Sequence, residues 1–149
     1  MTKRVVFLTG KRIGSDASES IHLYKRIVSF KKCADVSIIT QSTEDYPEQA
    51  GCKQVVHLDS NKDSHAYAVS VVKQADMFVV VGMPPNKNPS AALLGDTRPE
   101  CCIAVINKGC MDLPDGFYRE NLIRMKDMSI STGLLFLSVY RWMMDIVEE

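Results

Sequence analysis

The sequence lacks net charge, C-x-x-C cysteine pairs and any apolar run long enough for a bilayer. Lys+Arg and Asp+Glu each number 18, which argues against a nucleic-acid binder, because such domains carry a basic face. The densest basic cluster, Lys25, Arg26, Lys31 and Lys32, reads as the solvated side of a helix. The five cysteines, Cys33, Cys52, Cys101, Cys102 and Cys110, include no C-x-x-C, and the chain enters a strand directly after its first few residues. That combination predicts reduced thiols and an intracellular protein, cytoplasmic or nuclear. No segment approaches the roughly 20 apolar residues that cross a membrane. No linker, repeat or low-complexity stretch divides the 149 residues. One domain over residues 1–149 is expected.

What is present is an alternation. Arg4 to Thr9 is a continuous apolar run, as expected of a strand covered on both faces. Further strands are expected at Val36–Thr40, Val55–Leu58, Met77–Val81 and Cys102–Ile106. Between them lie helical patterns. One is capped at Asp16 or Ser18 and carries Ile21, Tyr24, Ile27 and Val28; a second covers Ala66 to Ala75, and a short third runs from Asn88 to Leu94. Strands alternating with helices predict an α/β fold: a three-layer, Rossmann-like parallel sheet with helices on both faces. The last segment, about residues 131–148, is a helix apolar over most of its girth. Either it is wedged into its own fold, or Leu134, Leu137, Val139, Trp142, Met143 and Ile146 form an interface with a second subunit or another protein.

Four strand ends carry motifs that resemble, in order, those of the sirtuins, the NAD-dependent protein deacylases. Leu8-Thr9-Gly10-Lys11-Arg12-Ile13-Gly14 is similar to T-G-A-G-I-S. Ile39-Thr40-Gln41-Ser42-Thr43-Glu44 resembles I-T-Q-N-I-D, and Ala50, Gly51, Val55 and Leu58 stay in register with the A-G and V-I-E-L-H-G that follow. Gly82-Met83-Pro84-Pro85-Asn86-Lys87-Asn88-Pro89 has the spacing of G-T-S-L-x-V-x-P, and Val105-Ile106-Asn107 looks like V-I-N. The resemblance spans Thr9 to Asn107. It implies the NAD-binding fold shared by sirtuins and deoxyhypusine synthase, with Gly10, Ile13, Gln41, Gly82 and Asn107 lining the nucleotide site.

The departures from that pattern fall on the residues that do chemistry. Ser42 stands where the family has its catalytic-loop Asn, Glu44 replaces the Asp, and Met83 and Pro84 replace a Thr and a Ser. Lys11 and Arg12 replace small residues, and their length is expected to fill the space of a pyrophosphate. Asp59 stands at the position of the catalytic His. A carboxylate with an ordinary pKa of about 3.9 is a feeble base beside imidazole at about 6.5. His57, two residues earlier, is displaced by roughly 6–7 Å along a strand and reads as a half-buried structural histidine, with His22 and His65 as ordinary helix residues. Only Ser60 to Gln74 separates Asp59 from the next strand, too little for the family's four-cysteine zinc lobe.

These readings converge on a catalytically inactive sirtuin-like domain, a pseudoenzyme, acting as a protein-interaction or scaffold subunit through homo- or hetero-oligomerisation. No cofactor and no zinc are expected to be required. Two other roles stay open: a sensor that binds NAD or ADP-ribose without turnover, and an NAD glycohydrolase or transferase using Glu44 or Asp59.

Overall fold

In the computed structural model, which describes residues 3–32, 34–58, 62–126 and 129–140, six strands form one parallel sheet. They are β1 (Arg4–Thr9), β2 (Asp35–Thr40), β3 (Val55–His57), β4 (Met77–Val81), β5 (Cys102–Asn107) and β6 (Leu122–Lys126), in the order β3-β2-β1-β4-β5-β6. Every adjacent pair is parallel. The helices are α1 (Ala17–Val28), α2 (Tyr46–Gln49), α3 (Lys62–Lys73), α4 (Ser90–Gly95) and α5 (Ile130–Tyr140).

Side-chain alternation divides the apolar residues of the sheet between two cores. On one face, Phe7, Ile38, Val79, Val81, Ala104 and Ile106 pack with Tyr24 and Ile27 of α1 and with Leu134 and Leu137 of α5. On the other, Leu8, Ile39, Phe78, Val80 and Val105 pack with Ala68 and Val72 of α3 and Leu93 and Leu94 of α4. A strand such as β4, buried at all five positions, is stable only between two such layers. This is the three-layer Rossmann-like arrangement. The chain runs outward from β1 to β3, then returns to lay β4 on the other side of β1. That reversal leaves a crevice at the carboxyl ends of β1 and β4.

Several details differ from expectation. No element was anticipated between Asn107 and Ser131, yet β6 pairs there with β5 from Leu122 to Lys126. It is an edge strand, and Arg124 and Lys126 interrupt the apolar signal that reveals central strands. The buried stripe of α1 is Ser20, Leu23, Tyr24 and Ile27, so Ile21 lies off it. As expected, a single helix, α3, connects β3 to β4 among the described residues.

The apolar C-terminal helix needs a correction at two positions. Leu134 and Leu137, candidates for an interface, are 2% and 1% exposed and belong to the chain's own core. Gly133 lets them approach: a Cβ there would stand 2.4 Å from Ile106 Cγ2. Burying each leucine stabilises the domain by about 1.5–3 kcal/mol, which explains why they are turned inward. Leu135 is 58% exposed on the outer side. Trp142, Met143, Ile146 and the side chain of Val139 lie outside the described residues.

Candidate functional site

The turn after β1 is pressed against its neighbours at three glycines. Gly10 N donates to Val81 O at 3.3 Å, and a Cβ on Gly10 would meet Gly82 O at 3.1 Å. Gly82 has φ +71, a conformation that glycine adopts freely and other residues rarely do, and its N–H donates to Ile106 O at 2.8 Å. Ile13 and Ile130 close over it, their methyls 3.5 and 3.1 Å from where its Cβ would be. Gly14 rests on the first turn of α1, where a Cβ would be 2.5 Å from Ser20 N.

The start of α1 is sealed by its own acids. Asp16 is the N-cap, and its Oδ1 accepts from Glu19 N at 2.8 Å. Glu19 reaches back, accepting from Ser15 N at 3.0 Å and from Ser15 Oγ at 3.2 Å. The arrangement is similar to a capping box, except that Glu19 reaches Ser15 rather than the N-cap itself, and it uses both carboxylates on N–H and hydroxyl donors near the helix start.

Two cavities flank this turn. One, of about 360 Å³, is lined by Lys11, Arg12, Ile13, Asp16, Gln41, Ser42, Glu44 and Tyr46 among others. The second, of about 500 Å³, lies toward β5 and is lined by Arg12, Ile13, Glu19, Gly82, Asn107, Lys108 and Ile130 among others. Arg12 and Ile13 are common to both, so the turn stands between two halves of one crevice. Lys11 and Arg12 are exposed side chains on its walls. Open volume remains on either side of them.

The anticipated site residues do gather here. Gly10 and Gly82 form the floor between β1 and β4. Ile13, 7% exposed, divides the halves. Gln41 donates its N–H to Thr9 O at 3.1 Å and borders the first cavity. Asn107 borders the second and donates from Nδ2 to Cys110 O at 2.9 Å. Ser42 is buried, with its N–H donating to Thr40 Oγ1 at 3.0 Å and its hydroxyl accepting from Glu44 N at 3.1 Å. Asp59 lies outside the described residues.

Three participants were not singled out by sequence. The Tyr24 hydroxyl, read from sequence only as part of an apolar helix face, lies 2.8 Å from Thr9 Oγ1 and 3.3 Å from Thr40 Oγ1, tying the ends of β1 and β2 beneath the first cavity. Burial pushes its pKa up, outweighing the two threonine hydroxyls that pull it down, so the phenol stays neutral. Lys108 follows directly on Asn107, a position that could have flagged it. Glu48 had no local signal: it meets His57 at 2.7 Å. His57 is half-buried, as expected of a strand histidine.

Among the described residues, no cluster of three or more His, Cys, Asp or Glu is arranged to hold a metal ion. No helix among them is long and apolar enough to cross a membrane.

No protein-family model and no curated protein matches the sequence. Solved structures do match in three dimensions. A Sir2 homologue variant in complex with 2′-O-acetyl ADP ribose superimposes with a TM-score of 0.69 at 12% identity, covering 94% of this chain and 92% of that one. A second Sir2 homologue variant, with ADP ribose, gives 0.68 at 12% identity over 94% and 92%. A structure describing the mechanism and regulation of Sir2 enzymes gives 0.66 at 14% identity over 94% of each chain. The chain has a sirtuin-like fold.

Proposed function

We propose that this chain is a sirtuin-like domain that binds a phosphate-bearing nucleotide of the NAD or ADP-ribose class and does not deacylate. One observation carries this reading: among the described residues, the cations of the crevice have no partner, while the two acids at the start of α1 already have one. Lys11, Arg12 and Lys108 line it without a hydrogen bond or ion pair to any described residue. Asp16 and Glu19, by contrast, are taken up by the cap. Arg12 lines both cavities, and guanidinium is suited to bidentate contact with phosphate. Glu44, on the same wall, suits ribose hydroxyls. That two of the similar Sir2 structures are complexes with ADP ribose and with 2′-O-acetyl ADP ribose is consistent with this proposal.

The absence of turnover is supported by the sequence at the strand ends. Asp59 occupies the position of the general base in the sirtuin pattern, and loss of a positioned base costs about 10²–10⁴-fold. Pro84 offers no N–H where that pattern has a serine. Thermal melts with millimolar ADP ribose and NAD, run beside a nicotinamide-release assay, test both halves. The reading predicts a rise in Tm and no nicotinamide. Release of nicotinamide would favour the glycohydrolase or transferase role through Glu44 or Asp59.

A second reading, self-association or a protein partner, is favoured by Leu135, 58% exposed on α5. Light scattering of the full chain and of Leu135→Glu tests it. A wild-type monomer with an unchanged variant would remove it.

A further inference from the structure

Both ring nitrogens of His57 face acceptors. Nδ1 lies 2.8 Å from Ser42 O, and Nε2 lies 2.7 Å from Glu48 Oε2. A carbonyl and a carboxylate have no proton to give, and a neutral imidazole has only one. Both contacts form as hydrogen bonds only if the ring carries two protons. In an imidazole–carboxyl pair the shared proton rests on the imidazole, the stronger base.

The clamp acts on the wall of the crevice. Ser42 lines the first cavity, and its N–H and hydroxyl are already committed to Thr40 and Glu44. His57 adds the third tether, from β3, and extends it to α2 through Glu48. We propose that His57, as an imidazolium bridging the Ser42 carbonyl and the Glu48 carboxylate, is a positioning residue that holds the Gln41–Glu44 wall, so that losing its second proton loosens the wall. The inference rests on the crevice reading for its effect on ligand, but the clamp itself exists without ligand.

The surroundings favour the charged ring. Burial disfavours it, yet the Ser42 carbonyl, the Glu48 hydrogen bond and the charges of Glu48 and Asp45 together outweigh that effect, and the pKa is raised. Glu48 comes from α2 and Asp45 from its cap. The β2 neighbour across the ladder is the uncharged Thr40. Helix α3, with Asp63 and His65, packs on the opposite face of β3, against Val56. Because the folded pKa lies above the unfolded value, the stabilisation is full below about pH 6.5 and is lost as pH rises through the folded pKa.

The test is NMR of the full chain between about pH 5.5 and 8.5. Ring resonances of the three histidines and exchange of the Ser42–Glu44 amides are followed for wild type, Glu48→Gln and His57→Gln. His57 should titrate above about 6.5 with both nitrogens protonated below its midpoint, and Glu48→Gln should lower that midpoint. Exchange of the loop amides, corrected for intrinsic rates, should accelerate about fivefold across the titration in wild type and show no such step in His57→Gln. A His57 midpoint at or below the ordinary value, indifference to Glu48→Gln, or the same exchange step in His57→Gln would overturn the clamp. None of these readouts needs ligand, so a failed ADP-ribose titration beside an intact clamp would count against the crevice reading alone.

Discussion

Tyr24 brings one hydroxyl to two threonines at the ends of adjacent strands, and its position decides how firmly the crevice floor is held. Tyr24→Phe leaves Thr9 and Thr40 short of a buried partner and should cost about 1–3 kcal/mol in urea denaturation. A loss within experimental error would mean that the two threonines find other partners. Gly14 is constrained by volume. A methyl at 2.5 Å from a helix N–H forces backbone movement, so Gly14→Ala should lose about 1–3 kcal/mol by the same measurement. Single positions such as Gly10, Gln41, Gly82 and Asn107 were legible because each directly follows, or in the case of Asn107 closes, an apolar strand at the end where ligands collect. The His57 clamp was not. Its partners stand 15 and 9 residues away on a polar loop and a single helical turn, and no periodicity joins them.

Helix α1 has two duties at its first turn. Asp16 satisfies a backbone donor, and it also puts a negative charge on the wall of the crevice proposed to take an anion. Asp16→Ala should therefore destabilise the domain by about 0.5–2 kcal/mol while leaving ADP-ribose affinity equal or improved. A parallel fall in both would show that Asp16 serves the ligand directly. Among the elements, β1, β2, β4 and β5 were legible from their apolar runs, since each is buried between two layers. β6 escaped notice because an edge strand needs only one apolar side. Helix α5 was legible as apolar, but not the division by which Leu134 and Leu137 turn inward while Leu135 stays out. That division depends on Gly133 meeting Ile106, a contact between distant parts of the chain.

At the scale of the molecule, the strand order β3-β2-β1-β4-β5-β6 sets where chemistry can occur. The carboxyl ends of β1, β2, β4 and β5 meet at one reversal, and the two cavities separated by Arg12 and Ile13 lie there. The sirtuin-like sheet thus presents a crevice whose cations have no partner among the described residues, the feature on which the proposal of a bound nucleotide rests. The most direct test is calorimetric titration of ADP ribose into the full chain, with Arg12→Ala beside it. Saturable binding is predicted, weakened about tenfold or more in Arg12→Ala, since a charged hydrogen bond contributes about 1.5–3 kcal/mol. At a hundred times its Kd the ligand should add about 2.7 kcal/mol to the stability of the wild type. No heat of binding at millimolar ADP ribose, or equal affinity in the two proteins, would contradict the account.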